Sequence, residues 1–140
     1  MSKNNSDKEM QMFNGKLEDW IIWQKAIILL GENYKIFEIN EYAFFNLQIK
    51  DAAISIINNI VEGFECENND ECVYFLYASK KSCEGLILKI MLATELSKIS
   101  KDEASIILKL TNELIMMITN VTDLITICEV NTKKNRYLLV

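Results

Sequence analysis

Residues 48–63, QIKDAAISIINNIVEG, decide the fold of this 140-residue chain. Their apolar side chains recur every three or four residues, which is the spacing that brings side chains onto one face of an α-helix. Extended one turn upstream, the row is Phe45, Ile49, Ala52, Ile56 and Ile60. The pattern predicts a helix that follows a short link at residues 39–40 and ends near Gly63, because glycine is common where helices end.

The segment before this helix predicts another, over residues 17–38. Its apolar row has the same spacing and consists of Trp20, Trp23, Ile27, Leu30, Tyr34 and Phe37. Aromatic side chains bury large areas when they pack. We therefore expect the two tryptophans to lie in the core rather than to stack on a nucleic-acid base or a partner.

Two further helices are predicted downstream. A polar, acidic connection leads to a helix over residues 70–97, for which Asn69 is the expected N-cap. The last helix starts at Ser100-Lys101-Asp102-Glu103, which has the spacing of a capping box. The apolar row of the third helix is Val73, Leu76, Cys83, Leu86, Ile87, Ile90 and Met91, and that of the fourth is Ile107, Leu110, Leu114, Met117, Val121, Leu124 and Cys128.

Few residues interrupt these helices, because the chain has no proline and only four glycines. Short links between long helices make sequential neighbours antiparallel. The sequence thus predicts an all-α fold, an up-down-up-down antiparallel four-helix bundle over residues 15–131. Residues 1–14 are expected to be a disordered N-terminal segment, and residues 132–140 a C-terminal tail.

The first and fourth helices carry more apolar residues than one stripe requires. The surplus residues are Ile21, Ile22, Ile28, Leu29, Ile115 and Met116. A monomeric bundle needs only one apolar stripe per helix, and large exposed apolar patches are rare on soluble monomers. These six residues are the candidate oligomer interface, and we expect the protein to self-associate through them.

The composition argues against an enzyme. The chain has no histidine, which removes the commonest general base at neutral pH and a common zinc ligand. The four cysteines form no C-x-x-C pair and are expected to act as small core hydrophobes. The glutamates show no paired spacing and are expected on a solvated surface. We therefore predict no catalytic residue, no metal site and no cofactor.

The expected cellular location of the protein follows from two further observations. The first residues are polar rather than a secretory signal, and no uninterrupted apolar stretch approaches the ~20 residues that span a bilayer. We expect a cytoplasmic protein with reduced thiols and no membrane partner.

The charge balance disfavours strong nucleic-acid binding. Acidic residues number 20 against 15 basic ones, for a net charge of −5. Nucleic-acid binders are usually basic and use arginine for phosphate contacts, whereas Arg136 is the single arginine here. The basic clusters that remain as candidate polyanion or partner contacts are Lys80, Lys81, Lys133, Lys134 and Arg136. Repeated around an oligomer, such patches could still bind a polyanion through avidity.

Three stretches resemble a known family. Residues 17–26, LEDWIIWQKA, are similar to its opening motif, residues 48–63 to its most specific motif, and Phe75-Leu76-Tyr77 with Ser82 and Leu86 to its third. The family comprises four-helix-bundle proteins encoded by intervening sequences in bacterial 23S ribosomal RNA genes, and it includes the accessory variability determinant of diversity-generating retroelements. The motif positions expected to have structural roles are Trp23, Gln48, Ser55, Asn59, Glu62, Gly63 and Ser82.

The resemblance implies a four-helix bundle assembled into a homopentameric, barrel-like ring, without enzymatic activity. The best understood branch of the family resembles an accessory factor that binds a reverse transcriptase and nucleic acid. The leading hypothesis is therefore a non-enzymatic oligomeric scaffold or adaptor for a nucleic-acid-processing partner such as a reverse transcriptase. The alternative is a ring that binds RNA or DNA directly through its lysine-rich patches.

Overall fold

The structure, a computed structural model, describes residues 17–37 and 43–138 and contains four α-helices over these ranges. They are α1 (Leu17–Phe37), α2 (Ala43–Glu65), α3 (Asn69–Glu95) and α4 (Lys101–Leu138). No strand occurs in the described ranges. The predicted all-α fold with four helices is confirmed.

Each helix packs against two others. The contacts run from α1 to α2, from α2 to α3, from α3 to α4 and from α4 back to α1, and the contact between α2 and α3 is the most extensive. The diagonal pairs do not approach one another within the described ranges. Connections of three residues before α3 and five before α4 make consecutive helices antiparallel, as in an up-and-down bundle.

The core face of α1 differs from the predicted one. Buried positions are Ile22, Ala26, Leu29 and Asn33, whereas Ile27 and Tyr34 of the predicted stripe are 39% and 41% exposed. Trp23 is half-buried, and the Trp20 side chain lies outside the described part of the chain. Both stripes have helical spacing, and a helix that is apolar nearly all round does not reveal which one its neighbours cover.

The central rows of α2 and α3 follow the prediction more closely. Ile49, Ile56 and Ile60 of α2 are fully buried, and so are Leu76, Cys83, Leu86 and Ile90 of α3. Met91, which was predicted in the core row, is instead half exposed, and Ala93 takes the buried position two residues later.

Gly63 does not end α2, since the helix continues to Glu65. Its role is close packing. A Cβ atom at this position would lie 2.9 Å from Leu76 Cγ and 3.4 Å from the Cys72 carbonyl oxygen, closer than ordinary contacts allow. The absent side chain lets α2 approach α3 near their connection.

The helix caps are partly as predicted. Asn68, not Asn69, caps α3, and its side-chain oxygen accepts a hydrogen bond from the Asp70 amide at 2.8 Å. The capping box of α4 is confirmed in both directions. The Glu103 amide donates to Ser100 Oγ, and the Ser100 amide donates to Glu103 Oε1, each at 3.1 Å.

The C-terminal segment is not separate from the fourth helix. α4 runs without interruption to Leu138, which includes most of the predicted tail. Val73, near the start of α3, lines the same groove as Thr126 of α4. The residues of α4 beyond about 130 therefore extend past the first residue of α3. At 1.5 Å per residue, this extension is roughly 12 Å long. The predicted N-terminal segment, residues 1–14, lies outside the described residues.

An ion pair joins α1 to α4, the pair with the smallest contact. Lys25 Nζ donates a hydrogen bond to Glu113 Oε2. This hydrogen bond is the main cause that lowers the pKa of the Glu113 carboxyl below its ordinary value, with smaller contributions from the charges of Lys25 and Lys109, while partial desolvation acts against it.

Replacing Gly63 by alanine should destabilise the bundle by about 1–3 kcal/mol, because the new methyl group forces the buried Leu76 side chain to move. Urea unfolding measures the change. Gly31→Ala is the matched control, since a Cβ there meets no atom within 4 Å. The control should stabilise the protein by about 0.5–1 kcal/mol through the higher helix propensity of alanine. Equal effects at both sites would contradict the packing role of Gly63.

The Glu113 carboxylate should make stability depend on pH in the acid range. A carboxyl whose pKa is lowered by folding contributes stability above its unfolded pKa, and this contribution is lost as the pH falls through the folded pKa. Glu113→Gln should therefore flatten the loss of stability between about pH 5 and pH 3, around the ordinary glutamate pKa. Unfolding curves at several pH values measure this, with Glu84→Gln on α3 as the control. An unchanged slope in the Glu113 variant would contradict the ion pair.

Candidate functional site

Three of the motif residues form a hydrogen-bonded cluster between α2 and α3. The Ser55 and Ser82 hydroxyls lie 3.0 Å apart and share a hydrogen bond. Asn59 Nδ2 donates to the Ser55 carbonyl oxygen at 2.9 Å and lies 3.3 Å from Ser55 Oγ. One turn along α3, the buried Ser79 hydroxyl donates to the Ile56 carbonyl oxygen at 2.9 Å. Small hydroxyl side chains thus connect the two helices where their backbones come close.

An open polar groove of about 650 Å³ adjoins this cluster. It is lined by Gln48, Asp51, Ala52, Ser55, Lys81, Ser82, Gly85 and Lys89. Two ammonium groups, two hydroxyls and one amide against a single carboxylate can hold a polar or anionic chain by hydrogen bonds.

The other motif residues lie elsewhere. Gly63 packs against α3, Trp23 is half-buried on α1, and Glu62 is exposed on α2. The structure therefore brings Gln48, Ser55 and Ser82 together in one groove, with Asn59 beside it. Ser55 and Ser82 hold α2 against α3 through their shared hydrogen bond.

The six predicted interface residues divide into three groups. Ile22 and Leu29 are 1% exposed and belong to the core of the bundle, so their assignment to an interface was wrong. Ile115 is half-buried against the core. Ile21, Ile28 and Met116 are exposed, by 66% for Met116. The error at Ile22 and Leu29 has the same cause as the wrong prediction of the core face of α1. The helix carries two apolar stripes of helical spacing, and the neighbouring helices cover the one that was not predicted.

Two of the exposed residues flank the ion pair between α1 and α4. Ile21 and Ile28 lie four residues before and three residues after Lys25, which places all three on one side of the helix. On α4, Ile106 and Leu124 lie seven residues before and eleven after Glu113, again on its side. We call these four residues the α1/α4 apolar surface: Ile21, Ile28, Ile106 and Leu124, each between 38% and 56% exposed.

A second apolar surface was missed by the sequence reasoning. An open groove of about 670 Å³ lies between the end of α3 and the start of α4, and its apolar lining includes Met91, Leu92, Ala104 and Leu108. Leu88, one turn before Leu92, is 68% exposed. The spacing of Leu88 and Leu92, four residues apart and off the core row, is the signal that could have revealed this face.

The sequence model of the family described as 23S rRNA-intervening sequence protein matches residues 18–120, nearly three quarters of the chain. The chain belongs to this family. The match begins in the first turn of α1 and ends within α4.

The solved structure of a similar protein confirms the fold. It is a protein of unknown function from the S23 ribosomal protein family of Bacteroides thetaiotaomicron VPI-5482. The two structures superpose with a TM-score of 0.72 at 15% sequence identity, over 76% of this chain and 99% of that one. At this identity the likeness shows the fold alone. No curated protein matches the sequence.

The last part of α4 lies outside the region shared with the 23S rRNA-intervening sequence protein family. Residues 121–138 follow the end of the family match. They include the exposed Leu124, Ile127 and Val130.

The predicted basic clusters of this family member do not form one patch. Lys80 is half-buried in a groove with Asp123 and Thr119, and Lys81 is exposed, with its Nζ 5.6 Å from the Tyr77 ring centroid. Lys133, Lys134 and Arg136 belong to the last turns of α4, 14 or more residues beyond Thr119. That separation is about 20 Å along the helix.

The described residues contain no group of three or more potential metal-ligating side chains. One segment, Lys101–Cys128 of α4, is long and apolar enough to cross a membrane by length and composition. Of this apolar stretch 28% is buried inside the bundle, and the buried residues include Ile107, Leu114 and Ile118.

The contact between Ser55 and Ser82 should be measurable by a double-mutant cycle. Alanine at each position and at both should reveal a coupling of about 0.5–1.5 kcal/mol in unfolding free energy, because the two hydroxyls share one hydrogen bond. Alanine replacements of Ser55 and of the exposed Ser105 on α4 form the control pair and should be additive. Additivity at Ser55 and Ser82 as well would show that the hydrogen bond contributes nothing to stability.

Proposed function

We propose that this 23S rRNA-intervening sequence protein is a non-enzymatic oligomeric scaffold or adaptor that assists a nucleic-acid-processing partner such as a reverse transcriptase. The observation that carries the proposal is the α1/α4 apolar surface. Its four large aliphatic side chains lie outside a bundle whose core is already complete without them.

Burial of this surface against a second copy is favourable. Full burial of one Ile or Leu side chain contributes about 1.5–3 kcal/mol, and these residues still expose about half of theirs. The ion pair between Lys25 and Glu113 lies between them, so its charges compensate each other within one subunit. A second copy is the occupant proposed, and a closed ring is the assembly expected from the family resemblance.

A non-enzymatic role is supported by the polar groove. Its serines are engaged with each other, and its ammonium and carboxylate groups are not arranged as a nucleophile with a base. Such a groove is suited to holding a polar or anionic group, and this supports a role in recognition.

The link to nucleic-acid processing is supported by the family, whose description refers to intervening sequences of 23S ribosomal RNA. The part of α4 that follows the family match carries the exposed Leu124, Ile127 and Val130. A protein partner could use these residues, because exposed apolar side chains on a helix are available for docking.

The alternative function is direct binding of RNA or DNA. The observation that favours it is the pair Lys81 and Lys89 in one groove with the Ser55 and Ser82 hydroxyls, since ammonium and hydroxyl groups both bind phosphate. Against it stand the net charge of −5 and the separation of the lysine clusters. Steep weakening with rising salt would be the signature of this alternative, whereas apolar scaffolding depends little on salt.

Replacing Ile28 and Ile106 together by glutamate should convert the protein to monomers, because both copies would then place charges in an apolar contact. The wild type should have a native mass several times that of one chain. Light scattering after gel filtration measures both masses, and the absorbance ratio at 260 and 280 nm of the same peak reports bound nucleic acid.

Two control variants make the result specific. Asn58→Glu adds a charge at an exposed position of α2 and should leave the assembly intact. Leu88→Glu changes the other apolar surface. If Leu88→Glu dissociates the assembly and the double variant of Ile28 and Ile106 does not, the interface lies on α3. A wild-type monomer would overturn the oligomeric scaffold. Nucleic acid in the wild-type peak that is lost at high salt would favour the alternative function.

A further inference from the structure

The connection between α2 and α3 brings two thiols together. Cys66 directly follows the last residue of α2, and Cys72 lies in the first turns of α3. The Cys72 thiol donates a hydrogen bond to the Cys66 carbonyl oxygen, with Sγ and O 3.1 Å apart. Both cysteines also line one pocket at this connection. Both residues are half-buried.

Several features of the backbone hold this arrangement in place. Asn68 caps α3, and its carbonyl oxygen accepts a hydrogen bond from the Cys72 amide at 3.0 Å. On the other side, Gly63 lets the end of α2 contact Leu76 and the Cys72 carbonyl oxygen. Fixed helix ends on both sides of a three-residue connection therefore hold the Cys72 thiol against the backbone of Cys66.

The other two cysteines differ from this pair. Cys83 is fully buried in the core, and burial raises the pKa of its thiol to about 12, which leaves it inert as a nucleophile. Cys128 is exposed on α4, more than 50 residues along the chain. The expectation that all four cysteines are core hydrophobes holds for Cys83 alone.

We propose that Cys66 and Cys72 are a modification site that closes reversibly to an intramolecular disulfide by exchange with a low-molecular-weight disulfide of the glutathione class. This goes beyond the scaffold function and does not depend on it. Two thiols are too few to enclose a metal ion, and the described residues add no third ligand. Disulfide exchange needs only the two sulfur atoms and an access route.

The reaction balances in two steps. The Cys72 thiol loses its proton and attacks one sulfur of the small disulfide, which forms a mixed disulfide and releases one small thiolate. The Cys66 thiol then loses its proton and attacks the Cys72 sulfur, which releases the second thiolate. Each thiolate takes up one proton. Two protein thiols are oxidised to one disulfide, and one small disulfide is reduced to two thiols.

The order of attack follows from the surroundings. Partial desolvation, and then the negative charges of Cys72, Glu71 and Glu62, raise the pKa of Cys66, so its thiolate is less available for the first step. In the second step Cys66 attacks within the same molecule, where the high effective concentration compensates for this.

Access to the pair is provided by a cavity. Cys66 and Cys72 line a pocket of about 400 Å³ together with Leu76 of α3 and with Val121, Leu124 and Ile125 of α4. A disulfide here would tie the end of α2 to the start of α3 at the point where α4 passes. The bond would thereby stiffen the wall of the pocket beneath the α4 extension.

The test incubates the full-length protein with excess glutathione disulfide under native conditions and maps the products by mass spectrometry of unreduced peptides. The expected product is one disulfide between Cys66 and Cys72, without retained glutathione on either and with Cys83 unmodified. Added reduced glutathione should reverse it. The Cys66→Ser variant should instead trap glutathione on Cys72, and Cys128→Ser should behave as the wild type.

Three results would overturn the proposal. They are stable glutathione adducts on both Cys66 and Cys72 of the wild type, no reaction at either residue while Cys128 reacts, and bonds of either residue to Cys128 or to a second chain. Circular dichroism of the Cys66→Ser variant establishes that its helices are retained, so that trapping on Cys72 is read on a folded protein.

Discussion

The close approach of α2 and α3 is the constraint on which the rest of the structure depends. At one end it requires Gly63, where any side chain would collide with Leu76. Along the middle it is held by hydroxyl groups small enough to fit between the helices, at Ser55, Ser79 and Ser82. The two remaining helices complete the core by packing against this pair, and α1 and α4 meet over the smallest contact.

This constraint also explains why the most specific stretch of sequence lies on α2. An amphipathic helix in general tolerates many apolar combinations, because volume and pattern largely suffice to build a core. A contact made by serine hydroxyls and a glycine accepts few substitutions. Asn59 is held in the same way, since its amide bonds to the Ser55 carbonyl oxygen one turn earlier.

The sequence was sufficient to predict the helices and some of their ends, and insufficient to predict which faces are covered. The capping box at Ser100 and Glu103 was predictable because its partners lie three residues apart. The orientation of α1 was not, because Ile22 and Ile27 lie on opposite stripes of equal spacing and only the neighbouring helices choose between them. The same limit applies to the groove residues, since the approach of Ser55 to Ser82 spans 27 residues.

The extension of α4 makes the two ends of the bundle different. One end of the bundle carries about two turns of projecting helix, and the other end has none that the structure describes. Copies related by rotation about an axis that runs parallel to the helices must point their projections the same way. Any assembly of that symmetry has two unlike rims, and only one of them carries the projecting helix ends. A partner that binds these helix ends can approach from that side only.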